Sequence, residues 1–170
     1  PTLSWRWQPT PEEQATELSA LKGGGVAELP AAIGPEDWPG YRGPLRDGIK
    51  YGGVFSTDWT VPPREAWRQP VGVGWASFAV AGNYLFTQEQ RGAEELVTCY
   101  RADTGANVWV NSVEALHDDA MGAGPQATPT YNAGKVYACG GTGMFQCLDA
   151  ATGKVLWKRD LKADAGGDVP

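Results

Sequence analysis

His117 is the chain's only histidine, and Asp118 and Asp119 follow it directly. A histidine beside carboxylates could ligate a metal or relay a proton, but either role needs further donors converging on it. The trio precedes Gly122-Ala123-Gly124-Pro125, so it reads as a solvated inter-strand loop. The three cysteines, Cys99, Cys139 and Cys147, are odd in number and lack CxxC spacing. That argues against a thiolate zinc centre or a disulfide framework and for small buried strand residues. Gly122-Ala123-Gly124-Pro125 and Gly140-Gly141-Thr142-Gly143 are glycine-rich, yet neither opens a helix nor leads into Lys-Ser/Thr. They read as strand turns rather than phosphate cradles. Glu89-Gln90-Arg91-Gly92-Ala93-Glu94-Glu95 reads as a solvated hairpin loop, longer than its counterpart after Cys139, that could serve as a contact surface. No catalytic, cofactor-binding or metal-binding set is therefore expected in this segment.

The elements that carry these residues are short strands. The 170 residues include 23 Gly, 13 Pro and 8 Trp, which means many turns and large aromatic anchors. That composition points to an all-β fold. Net charge is −6 and the 14 Lys and Arg are scattered without a basic stripe, so nucleic acid is set aside as a partner. The uncharged run from Pro70 to Gln88 is too polar and too broken by glycine to span a bilayer. No signal peptide is visible, and the start at Pro1 reads as a segment of something longer. Thr10-Pro11-Glu12-Glu13 forms a capping box that predicts a short helix to about Leu21, ended by Gly23-Gly24-Gly25. Residues 1–35 are thus a lead-in with a short helix.

An internal repeat organises the rest. Cys147-Leu148-Asp149-Ala150-Ala151-Thr152-Gly153-Lys154-Val155-Leu156-Trp157 parallels Cys99-Tyr100-Arg101-Ala102-Asp103-Thr104-Gly105-Ala106-Asn107-Val108-Trp109. A constant 48 positions separates the two cysteines, the two Thr-Gly pairs and the two tryptophans. A partial third copy ends at Ala66-Trp67, 42 positions before Trp109. Periods of this size are those of propeller blades, and each unit divides into four short antiparallel strands. The predicted division is a turn-rich opening element over 36–66, a first blade over 67–113, and a second blade with the start of the next loop over 114–170.

Asp149-Ala150-Ala151-Thr152-Gly153-Lys154-Val155-Leu156-Trp157 resembles the docking motif of the PQQ-repeat propellers. Trp38-Pro39-Gly40-Tyr41-Arg42-Gly43-Pro44, followed by Arg46-Asp47-Gly48, is similar to the element that opens many of them. The likeness covers residues 36 to 161 and implies a partial β-propeller, about two blades with tryptophan docking. In that family the Thr-Gly turn meets a neighbouring blade's tryptophan, which implies blade-docking roles for Trp67, Thr104, Gly105, Trp109, Asp149, Thr152, Gly153 and Trp157. Arg101 stands where the motif has Asp, so the first turn is expected to be imperfect.

The resemblance also frames function. Quinoprotein members hold PQQ with Ca²⁺ at the ring centre, using a Glu, an Asn and an Asp base, often beneath a vicinal cysteine pair. No such pair exists here, and a ring of seven or eight blades would need roughly 320–360 residues. The first expectation is an extracytoplasmic, membrane-associated scaffold whose loops contact other proteins, similar in kind to the propeller subunit of outer-membrane assembly machinery. Its open sheet would be covered by other blades or by a partner protein, with a membrane protein complex as one setting, and no cofactor is expected. The alternative is a fragment of a PQQ-dependent oxidoreductase whose site lies in other blades.

Overall fold

The computed structural model describes residues 8–10, 24–53 and 56–166. The helix expected from Thr10 to Leu21, together with Trp5 and Trp7, lies outside the described residues.

Two four-stranded antiparallel sheets form the body. The first contains β1 (Ala79–Ala81), β2 (Tyr84–Arg91), β3 (Glu94–Arg101) and β4 (Asn107–Glu114) in that order. After a small hairpin of β5 (Asp118–Asp119) and β6 (Gly122–Ala123), the second contains β7 (Thr130–Asn132), β8 (Lys135–Cys139), β9 (Met144–Asp149) and β10 (Val155–Asp160). A short helix α1 (Leu161–Ala165) follows, which the sequence reading did not anticipate. Asp160 caps it by accepting from the amides of Lys162 and Ala163, and left-handed Gly166 ends it. The all-β, partial-propeller expectation holds.

Both sheets share one irregularity. The β3/β4 ladder skips Val108 between Trp109 and Asn107, and the β9/β10 ladder skips Leu156 between Val155 and Trp157. Each is a bulge at the same place in the repeat, a feature that bends the outermost strand and re-aims its side chains.

Neither sheet has a core to itself. One buried cluster joins Ala79, Phe86, Val97 and Trp109 of the first sheet to Tyr131, Val136, Ala138 and Leu148 of the second. Phe86 stacks on Tyr131 with ring centroids 5.8 Å apart, and the Trp109 ring lies tilted against Phe86, also at 5.8 Å. The apolar faces are thus buried sheet against sheet, which is why a single repeat could not fold alone. At the inner edges, Trp38 pairs with Val80 through both backbone bonds (3.0 and 2.7 Å), and Tyr131 donates its amide to Pro39 O at 2.8 Å. The opening element therefore ties β1 to β7.

The run from Glu89 to Glu95 corrects the sequence reading. It is not a loop: Glu89, Gln90 and Arg91 finish β2, Glu94 and Glu95 begin β3, and Gly92-Ala93 is the whole turn. The polar side chains of Glu89, Gln90, Arg91 and Glu95 are buried because neighbouring segments supply partners on both faces of the sheet.

Candidate functional site

Trp67 and Trp109 occupy equivalent settings. The Trp109 ring lies on Gly153, where a Cβ would fall 2.5 Å from Cε3, and its indole N–H donates to Ala150 O at 3.0 Å. Trp67 lies on Gly105 with the same 2.5 Å approach, and its indole donates to Ala102 O at 2.8 Å. Both glycines sit at φ +70°, left-handed backbone that disfavours any side chain even without the ring above it. In the second turn Asp149 Oδ1 accepts from the Thr152 amide (2.9 Å) and hydroxyl (2.7 Å), while Gly153 donates to Asp149 O at 2.8 Å.

With Arg101 in place of Asp, the first turn keeps the backbone frame of the second but not the side-chain closure that Asp149 provides there. Gly105 donates to Arg101 O at 2.9 Å, matching the second turn, and the Arg101 guanidinium grips Asp103 at 2.9 and 2.6 Å. The Arg101 hydrogen bonds, helped by Asn83, hold the Asp103 carboxyl well below the usual range. Thr104 Oγ1 accepts from Ala106 at 3.3 Å. Trp157 is placed differently: it is 43% exposed and packs edge-on against Phe145 of its own sheet (5.4 Å), with no described turn against it.

Two polar clusters escaped the sequence reading. On the face of the first sheet toward the second, Gln88 donates to Ala127 O (2.6 Å) and Cys139 O (3.2 Å). Gln90 accepts from the His117 amide (2.9 Å), and buried Glu95 accepts from the Gly141 amide (2.8 Å). On the opposite face Glu89 Oε1 accepts from Arg91 (2.8 Å) and Tyr100 OH (2.7 Å), and Glu89 Oε2 accepts from the Gly72 amide. Burial, together with the Glu89 charge, pushes the Tyr100 phenol up. The available signal was the two-residue turn Gly92-Ala93 between two runs able to form strands.

The His117 region is the hairpin β5/β6 rather than an irregular loop. With Gln126, Cys139 and Gly141, His117 and Asp119 line a cleft of about 250 Å³. His117 Nε2 stands 3.3 Å from Asp119 Oδ2. Asp119 is already engaged in closing its turn, accepting from the amides of Met121 (2.7 Å) and Gly122 (3.2 Å). The Met121 amide chiefly holds its carboxyl below the usual range. Among the described residues no group of three or more His, Cys, Asp or Glu is placed to hold a metal.

The cysteines are free: Cys99 and Cys147 are buried, Cys139 is half-buried. Burial, and secondarily Glu95, raises the Cys139 thiol pKa. At about pH 8 a thiol reagent should modify Cys139 first and more slowly than a free thiol, its rate still climbing above about pH 9 where a free thiol levels off. Mass spectrometry of the native protein checks this. More than one modified cysteine would contradict the burial pattern.

Among the described residues Trp38 and Pro39 line the inner edges of both sheets, Glu89 and Glu95 are committed to backbone and arginine partners, and no two cysteines are adjacent.

Consecutive four-stranded antiparallel sheets packed face to face, with each Thr-Gly turn beneath a tryptophan from the preceding unit, define a propeller-type repeat protein. The family profile described as outer membrane protein assembly factor BamB matches residues 59–160, and the chain belongs to that family. Among solved structures, a europium-containing methanol dehydrogenase shares 18% identity over 53% of this chain and 16% of its own, with a TM-score of 0.41. BamB from Moraxella catarrhalis shares 20% over 52% of this chain and 36% of its own, with a TM-score of 0.33. The chain thus spans well under two thirds of either, and likeness at this level says nothing about activity. No curated protein sequence matches the chain. No described helix is long and apolar enough to cross a membrane.

Proposed function

We propose that this chain is an extracytoplasmic, membrane-associated propeller module that binds protein partners and does no chemistry in this segment. The observation that carries this reading is the division of labour among side chains. Gln88, Gln90 and Glu95 are committed to backbone groups across the sheet interface, which makes a rigid platform. Large apolar groups meanwhile stand in solvent: Trp75, lying against Gly122, is 66% exposed and Met121 beside it 73%. Exposed apolar patches mark interaction sites. A role in outer-membrane assembly, as the family's name describes, is consistent with such a platform.

Within this reading Trp67, Gly105, Trp109, Gly153, Thr104, Thr152 and Asp149 act as blade docks, and Trp157 awaits a further blade or a partner. The division proposed with it is an opening element over 36–66, a first blade over 67–113 and a second blade with the start of the next loop over 114–170. Nucleic acid is no partner.

The test sets two activities against each other. A photo-crosslinking amino acid at position 75 or 121, in cells of the native host, should yield discrete protein adducts. Purified protein given PQQ and Ca²⁺ should neither quench tryptophan fluorescence saturably nor reduce an electron-accepting dye with alcohols or sugars. Dye reduction that depends on added PQQ, without adducts, would overturn the proposal in favour of the oxidoreductase alternative.

A further inference from the structure

This chain covers one of its own sheet edges. β4 is outermost in the first sheet, yet Gly24 bridges Trp109 on its outer side and the Gly25 amide donates to Val108 O at 3.0 Å. Two residues on, the Ala27 amide donates to Ala151 O at 2.8 Å, so the segment crosses from the first sheet to the Thr-Gly turn of the second. Glycine is what permits the approach: a Cβ at Gly25 would stand 3.1 Å from Val108 O. The acceptor, Val108, is the bulge residue of β4.

β10 repeats these features without the cover. Leu156, 48 positions beyond Val108, is the bulge residue of the second sheet's outermost strand. All six residues of β10 are exposed, and among the described residues nothing pairs with its outer side. Native folds seldom leave such an edge open, because it is a template for another strand. The surroundings select the occupant. Lys154, Lys158, Arg159 and Lys162 outnumber Asp160, which caps α1, and Asp164, which pairs with Arg159 at 2.9 Å.

We propose that the outer edge of β10 is a strand-addition site for an extended, acidic segment of a partner protein with glycine facing Leu156. It rests on the reading that this chain binds protein partners. The partner's backbone extends the sheet as residues 24–27 extend the first, and the glycine admits it past the bulge. The lysines, which would repel a second copy of this positive edge, attract the acidic flank.

The test uses the full chain and a fluorescent peptide, Glu-Glu-Gly-Gly-Val-Ala-Glu-Leu, at low ionic strength, followed by anisotropy and by amide hydrogen exchange. The expected result is saturable binding with new protection confined to residues 155–158. Affinity should fall by about tenfold or more when the second glycine becomes valine, or becomes sarcosine, which lacks the amide donor. It should fall similarly in the Lys154→Glu, Lys158→Glu double variant. Absence of binding, binding indifferent to these changes, or protection away from β10 would overturn the proposal. So would a concentration-dependent dimer protecting β10 without peptide, since the occupant would then be a second copy. Failure here with adducts retained at position 75 or 121 sinks this site alone; loss of both sinks the scaffold reading.

Discussion

Trp109→Ala should lower the unfolding free energy by about 3–5 kcal/mol, the range for removing a fully buried large aromatic. Trp109 is 1% exposed, touches Phe86, and donates its indole N–H to Ala150 O. Truncation opens a cavity between the sheets and orphans a carbonyl in the second turn. Trp157→Ala, at the same place in the repeat but without a turn to dock on, should cost about 1 kcal/mol. Urea denaturation of the three proteins makes the comparison. Equal losses at the two positions would mean that the sheets are not held by docking. Gly153→Val approaches the same contact from the other side, since its Cβ would collide with the Trp109 ring at a φ of +70°.

Glu89→Leu is the second large effect expected, at about 3–5 kcal/mol. It removes the carboxylate partner of an arginine that lies inside the protein, along with acceptors for Tyr100 and the Gly72 amide. The sign of the companion experiment is the informative part. Replacing both Glu89 and Arg91 by leucine should restore part of the loss, because neither partner is then left as an unpaired buried charge. A double variant as unstable as the sum of its parts would show that the pair is not coupled. Since Glu89 fixes the Gly72 amide and Gln90 pairs with Val73, the single variant should also loosen residues 71–75, seen as faster amide exchange there.

The repeat made the fold legible. Thr-Gly with tryptophan at a fixed distance names a turn and the ring that covers it, and both appear where the spacing places them. At Arg101 the substitution removes the side-chain closure, but two backbone bonds hold the turn, from the Gly105 amide to Arg101 O and from the Arg101 amide to Ala106 O. Glu89 to Glu95 misled for a different reason. A strand polar on both faces lacks the alternation that distinguishes strand from loop, and its partners, the amides of Gly72, His117 and Gly141, lie far away in sequence. Helix α1 follows from Asp160 as cap and Gly166 as stop, with only five residues between them, too short to stand out among turns. The Gly24 bridge to β4 had no local signal, since a glycine run reads equally as linker or as close-packed strand.

The account depends most on the claim that Trp67 and Trp109 each dock on the Thr-Gly turn of the sheet that follows, and exchange of the indole N–H protons measures this one ring at a time. With each signal assigned by Trp→Phe substitution, the indoles of Trp67 and Trp109 should be protected by their bonds to Ala102 and Ala150. Those of Trp59 and Trp75, 71% and 66% exposed, should exchange as fast as free indole. A Trp109 indole exchanging as fast as that of Trp59 would contradict the docked arrangement, and with it the packing of one sheet upon the next.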